Sequence, residues 1–267
     1  MSKQAFVVVL CLVFITIPCA AGAHMLWLNA SDYAPKAGEP VSIEIGFGHH
    51  YPHDEALKEG RLERVYAVDK TGQEYSVEQV STCTYRFTPP SDGLFRIIAV
   101  MKPGFVSKTT DGRKMGSKKE YANAVDCFAF RMVATALISV GSPSGDFSIS
   151  SKNPLEIVPL RNPALLKTGD EIPVKVIFQG KPVEGVSVQA ANEEQSTAPG
   201  NEQGHAGQGH GAHQHWAQEV ITNGDGVAVI KVTAGGPWLL ATSHEVPYED
   251  QMECDRYSYR TSLTVGF

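Results

Sequence analysis

The chain has 267 residues, a formal net charge of −6, and 42% hydrophobic residues interspersed with 25 glycines and 16 prolines. That length suits two domains of ordinary size. The mildly acidic balance argues against a nucleic-acid surface and is compatible with attracting cations. Beyond the N-terminus no stretch is long and apolar enough for a membrane helix, which needs roughly 20 apolar residues.

The N-terminus comes first in chain order. Lys3 precedes an apolar run over residues 5–17, followed by Ala21-Gly22-Ala23. A short apolar core ending in small residues reads as a secretory signal peptide over 1–23, cut after Ala23. Cys19 follows Pro18 where a lipoprotein signal needs a small residue, so a lipid anchor is not expected. Cleavage leaves 267 − 23 = 244 residues and sends the mature chain to the periplasm or otherwise out of the cell interior.

Most of the remainder reads as short strands broken by turn residues. Val41, Ile43, Ile45 and Phe47 alternate with Ser42, Glu44 and Gly46, the period-two signature of a half-buried strand. Segments 94–101, 172–178 and 186–190 read similarly. Two more strands, 227–232 and 238–243, follow Asn223-Gly224-Asp225-Gly226 and Gly235-Gly236-Pro237. Many short strands at this spacing predict an all-β chain of β-sandwiches. Between 120 and 140 apolar residues are too dense to show a period, so helix and buried strand both stay open for the first half of that region. Turn-prone residues over 141–154 place a boundary between an N-terminal domain, 24–145, and a C-terminal one, 154–267.

From Asn192 to His215 the chain is mostly Gly, Gln, Ala, Glu and His. With almost nothing to bury, it cannot offset its ordering entropy and reads as a mobile loop. It holds His205, His210, His213 and His215, four of the nine histidines. Three cysteines remain in the mature part: Cys83, Cys127 and Cys254. An oxidising compartment allows one disulfide and leaves one thiol over, without fixing which two pair.

The histidines carry the chemistry. Cleavage after Ala23 makes His24 the new N-terminus, where an α-amine and an imidazole form a chelating pair for copper, nickel or zinc. An α-amine pKa of about 8 lets a metal displace its proton at modest cost near neutral pH. A second cluster is Gly48-His49-His50-Tyr51-Pro52-His53-Asp54-Glu55. If 24–29 and 41–47 are antiparallel neighbours, the start of the first strand lies beside the end of the second. His24 then comes within reach of His49 or His50, with a carboxylate or tyrosine nearby. The competing reading has His49, His50 and His53 decorating a polar loop. The four loop histidines read as a loose capture tract or a solvated linker, and His244 as a surface residue. No G-x-S-x-G, H-E-x-x-H or phosphate-binding glycine loop is present. Asp54 and Glu55 are adjacent, which sends them to opposite faces in a strand and indicates nothing in a loop.

Ala23-His24-Met25-Leu26-Trp27-Leu28 after a signal peptide resembles the start of NikM-like periplasmic proteins, a family long catalogued as a domain of unknown function and associated with nickel uptake. Lys36-Ala37-Gly38-Glu39-Pro40-Val41, Gly48-His49-His50-Tyr51-Pro52, Leu155-Glu156-Ile157-Val158-Pro159-Leu160 and Gly180-Lys181-Pro182-Val183-Glu184-Gly185-Val186 continue the resemblance in order, down to Gly236-Pro237-Trp238. The resemblance implies two immunoglobulin- or transthyretin-like sandwiches. It also implies a nickel- or cobalt-uptake role beside a membrane transporter component, with His24 and His49 as the matched histidines. His50 falls at the variable position and His53 outside the motif. Nickel is therefore the favoured ion, with copper, cobalt or zinc as alternatives. Affinity alone would rank copper highest for a nitrogen-rich site. Two further readings remain: a copper-binding histidine-brace protein or oxidative enzyme, and a structural or adhesive sandwich module. No catalytic constellation supports an enzyme directly.

Overall fold

A computed structural model describes residues 24–141, 151–193 and 216–267. The expected signal peptide, 1–23, and His205, His210, His213 and His215 lie outside these residues. The first half contributes β1 (Met25–Ala30), β2 (Val41–Gly48), β3 (Leu62–Asp69), β4 (Glu74–Ser76), β5 (Glu78–Gln79), β6 (Thr84–Phe87), β7 (Gly93–Met101), β8 (Gly104–Thr109), β9 (Gly112–Met115) and β10 (Ala124–Val140). The second half contributes β11 (Leu155–Pro159), β12 (Glu171–Phe178), β13 (Lys181–Pro182), β14 (Ser187–Asn192), β15 (Gln218–Ile221), β16 (Val227–Lys231), β17 (Pro237–Pro247) and β18 (Arg256–Gly266). Two short 3-10 turns, Lys118–Glu120 and Pro163–Leu165, interrupt them. Among the described residues no helix is long and apolar enough to cross a membrane.

The strands form three sheets stacked in layers. The outer ones are four-stranded: β1-β2-β6-β5 on one side, and β11-β12-β13 with β16 beside β12 on the other. Between them runs a ten-stranded sheet, β15-β14-β17-β18-β10-β7-β3-β4, with β8 beside β10 and β9 beside β8. One core, including Leu26, Ile43, Phe87, Ile97 and Ile138, fills the space between the first sheet and the central one. The other, including Leu94, Ile98, Ile157, Val174 and Leu263, fills the space behind. The protein is thus two β-sandwiches that share their middle sheet.

Shared burial explains the second half of the region that showed no period, whereas its first half is mixed, with Val125 62% exposed. β10 is strand throughout, and Met132 to Val140 are all buried. A strand covered on both faces has no polar side to alternate, so its sequence reads as a continuous apolar run. β2 is covered on one face only and keeps the alternation: Val41, Ile43 and Ile45 are buried while Ser42 and Glu44 are exposed.

β10 and β18 run parallel, with Phe128 to Ala136 matched to Arg256 to Thr264. Parallel neighbours need a long crossover, and here the whole third sheet lies in that crossover. The Cys127–Cys254 disulfide ties the start of β10 to the approach of β18, and among the described residues Cys83 is the free thiol. A buried ion pair, Arg96 with Glu156 at 3.8 Å, joins β7 to β11 across the second core.

β1 is an edge strand, so its outer carbonyls need partners. Ser262 and Thr264 of β18 supply them: their hydroxyls donate to Leu26 O (2.7 Å) and Leu28 O (2.6 Å). This seats the N-terminal strand on the C-terminal one. Trp27, fully buried, packs near Tyr51, Ala191 and Leu239. Its cross-strand partner is Gly46, and the indole occupies the space a side chain there would need.

Candidate functional site

β1 and β2 pair antiparallel with Met25 opposite Gly48. Extending that register by one residue sets His24 opposite His49. Their ring centroids are 4.1 Å apart, with planes tilted by 54°. The His24 ring also stacks on Phe47 at 5.0 Å and 23°. Glu55 arrives from the far side of β2, where its amide donates to Phe47 O (3.0 Å). Its carboxylate then reaches His24 Nε2 at 3.2 Å. Arg260 of β18 donates to the His24 carbonyl (3.2 Å), fixing the backbone from below. Two imidazoles and a carboxylate therefore occupy one corner, on a backbone held by two sheets.

The turn carrying His49 is built around Asp54. Its Oδ2 accepts from the amides of His49 and His50, the latter at 2.9 Å, and lies 3.2 Å from His50 Nδ1. Burial pushes the Asp54 carboxyl up, but these amide donors outweigh it and hold it below the usual carboxylate value. Gly48 has φ +134°, and a Cβ there would lie 2.3 Å from Asp54 Oδ2, so only glycine lets the turn close on its carboxylate. Pro52 O accepts from Trp27 Nε1 (2.9 Å) and Asn29 Nδ2 (3.0 Å), lashing the same turn to β1.

Electrostatically His49 is the centre of the group. Burial, then the charge of His24, lowers its pKa below the ordinary imidazole value, while Asp54 and Glu55 act in the opposite direction. A neutral imidazole at neutral pH keeps a lone pair for a ligand. His24 and Glu55 are open to solvent, with side chains 41% and 54% exposed. Among the described residues no group of three or more His, Cys, Asp or Glu side chains is placed to hold a metal ion. The corner brings donors side by side, with the exposed His24 and Glu55 side chains bonded to each other at 3.2 Å.

The expected candidates separate into three groups. His24 and His49 meet, as the strand pairing requires. His50 belongs to the same turn, its Nδ1 occupied by Asp54. His53 instead lines a neighbouring cavity of about 270 Å³ together with Asn29, Tyr33, Glu44, Pro52 and Glu193. The four loop histidines lie outside the described residues. His244 is half-buried against Phe178. Glu55, dismissed in the sequence as half of an uninformative pair, is the carboxylate that reaches His24. Asp54 is the one that builds the turn. The signal that was available is the six-residue spacing from His49 to Glu55, enough for a tight turn to fold back on its own strand.

Among solved structures, Clostridium thermocellum CbhA fibronectin(III)-like modules align at 10% identity over 90% of this chain and 94% of theirs, with a TM-score of 0.21. A Salmonella alpha-2-macroglobulin mutant aligns at 14% identity over 91% of this chain and 15% of that one, with a TM-score of 0.26. The D0-D1 domain of Intimin aligns at 12% identity over 92% of this chain and all of that one (100%), with a TM-score of 0.22. Likeness at this level says nothing about what the chain binds. No curated protein matches it. A family model does, over residues 21–246, reaching from just before His24 to the middle of the last β-hairpin. The chain belongs to the family described as Domain of unknown function (DUF4198).

Proposed function

We propose that the His24–His49–Glu55 corner binds a transition-metal ion as cargo, with nickel favoured over copper, cobalt or zinc, and that the exported protein delivers it to a membrane transporter component. The observation that carries this reading is the cross-strand placement of His24 against His49, with ring centroids 4.1 Å apart. Imidazole nitrogens with a carboxylate suit borderline divalent ions. In this reading the metal displaces the proton shared between His24 Nε2 and Glu55, whose side chains are 41% and 54% exposed. Cleavage after Ala23 would add the His24 α-amine at the same corner. His50 is a reserve donor and His53 a flanking one. The described residues on either side of the histidine-rich stretch also lie close by. Glu193 lines the cavity with His53, and Trp216 packs in the cluster of Trp27, Tyr51 and Met25. That proximity supports a capture role for His205, His210, His213 and His215.

The test is intact mass of the secreted protein, followed by nickel and copper titration of the same sample. A chain starting at His24 and binding one ion tightly is expected. His24→Ala, or extension of the N-terminus by one residue, should weaken that ion by roughly 100-fold or more, and Glu55→Gln by about tenfold. Deleting 200–215 should lower the number of bound ions and spare the tightest. If the deletion removes all binding and His24→Ala removes none, the reading is wrong.

A further inference from the structure

Three side chains of β18 hold β1 in steps of two residues. Thr264 donates to Leu28 O, Ser262 to Leu26 O and Arg260 to His24 O. Alternate residues of a strand share a face, so Ser258 and Arg256 continue this face past His24. Cleavage after Ala23 would end the overlying strand at His24 and leave that continuation open. The register widens it across the central sheet. Arg256 lies in one row with Phe128 of β10, Val106 of β8 and Met115 of β9. The row toward His24 holds Phe130, Ser258 and Glu245, and the row on the other side holds Asp126, Lys108 and Arg113.

Cations gather here. The guanidinium groups of Arg256 and Arg260 lie 5.8 and 5.4 Å from the Phe128 ring centre, and that of Arg61 lies 5.9 Å from the Phe130 ring centre. A ring face holds a cation in place without cancelling its charge. Asp126 and Glu245, the carboxylates of these rows, are both taken by Arg256, at 3.1 and 3.0 Å. Among the described residues Arg61, Lys108, Arg113 and Arg260 make no ion pair. Burial pushes the Arg260 guanidinium down to about 10, with Arg113 and Arg256 acting in the same direction against Glu245. Like charges therefore crowd one another on a chain of net charge −6. Lys108, Arg113 and Met115 are exposed, and Phe128, Arg256 and Arg260 half-buried.

The excess charge selects its partner. Three of the four unpaired cations are arginines, whose planar fork takes a carboxylate through two parallel hydrogen bonds. Anionic lipid shares part of that chemistry. A bilayer, however, is repelled by the net charge and is flat on this scale, whereas Arg260 sits half-buried under His24 at the edge of the first sheet. A single peptide segment can follow that step. A receiver of a divalent ion must also bring its own carboxylates or imidazoles to the corner, and Arg260 bonds His24 directly. From β9 to β17 the face spans about 19 Å, the length of roughly six extended residues.

We propose that this face docks the receiving protein through an extended segment rich in Asp and Glu, whose carboxylates bind Arg260, Arg113 and Lys108 and so lie beside the His24 corner. The purpose of the contact rests on the delivery reading of that corner. The test is fluorescence anisotropy of labelled decaglutamate titrated with the secreted chain, with and without nickel, beside sedimentation with phosphatidylglycerol vesicles. Decaglutamate is expected to bind and to weaken with added salt, and the vesicles are expected to carry down no protein. Lys108→Glu with Arg113→Glu should weaken decaglutamate at least about tenfold, with nickel affinity and melting temperature unchanged. Lys167→Glu with Lys181→Glu reverses two exposed lysines of the other half and should cost far less. If the first pair does not fold, Lys108→Gln with Arg113→Gln carries the comparison. No decaglutamate binding at low salt overturns the proposal. Equal losses in the two paired variants overturn it too, as does vesicle binding that is lost in the Lys108/Arg113 variant while decaglutamate is not. Decaglutamate bound through Lys108 and Arg113 by a chain that takes no nickel supports this face and overturns the delivery reading. Nickel bound without decaglutamate overturns this inference alone.

Discussion

Gly46→Ala tests the link between the core and the candidate site. A Cβ at Gly46 would lie 2.0 Å from Trp27 Nε1, 2.2 Å from Cε2 and 2.7 Å from Cζ2. Trp27 has 0% exposure, so the ring has no solvent side to yield toward. Either the strands part or the indole tilts away from Pro52, whose carbonyl it holds at 2.9 Å. Overpacking a tight core costs about 1–3 kcal/mol. Stranding a buried donor adds about 1–3 kcal/mol, giving a total of roughly 2–5 kcal/mol when some strain is relieved by the tilt. At roughly 2–4 °C per kcal/mol for a chain of this size, melting should fall by roughly 5–15 °C. Because Pro52 also anchors the His49 turn, nickel affinity should drop in the same variant. Thermal and urea unfolding measure the first effect, titration the second. Gly235→Ala, where a Cβ meets nothing within 4 Å, serves as the control and should shift stability by no more than about 0.5 kcal/mol. A Gly46→Ala protein melting within about 2 °C of the parent would refute the packing argument.

The remaining predictions concern the ties between the two halves. Reducing Cys127–Cys254, separated by 127 residues, should lower stability by up to about 5 kcal/mol on a chain-entropy basis, while among the described residues a thiol reagent on the unreduced protein labels Cys83 and spares Cys127 and Cys254. Arg96→Met or Glu156→Gln singly should cost about 3–5 kcal/mol, because each leaves a buried charge without its counter-charge, whereas Arg96→Met with Glu156→Met should cost clearly less; a double variant no better than the sum of the singles would exclude that account. The Arg256 guanidinium beside Asp126 holds its carboxyl below the usual carboxylate value, despite burial pushing it up. The depressed pKa means that this pair's stabilisation is present above the ordinary carboxylate range and is lost as pH falls through the lower native value. With the side chains 37% and 30% exposed, the contribution is no more than about 1 kcal/mol. Asp126→Asn should therefore flatten the acid limb of the stability curve slightly and leave neutral pH little changed.

Local chemistry set a good part of this protein in advance. The alternation of Val41, Ile43 and Ile45 against Ser42 and Glu44 is written for one buried face, and β2 has one buried face. Antiparallel neighbours must place one strand's start beside the other's end, so pairing β1 with β2 was enough to bring His24 to His49. What a sequence cannot carry is which elements lie over which. Met132 to Val140 of β10 have no readable period because sheets cover both faces there, a condition created by strands far away in the chain. Three cysteines allow three pairings, and Cys127–Cys254 follows only from the parallel contact of β10 with β18. Glu55 looked like one half of an idle acidic pair. It reaches His24 because the turn closes on Asp54 and returns along β2, and that turn depends on a glycine, a proline carbonyl and a buried indole acting together. Periodicity is a property of neighbouring residues and survives in one dimension. Contacts between distant segments are decided by packing, and only the folded chain fixes them.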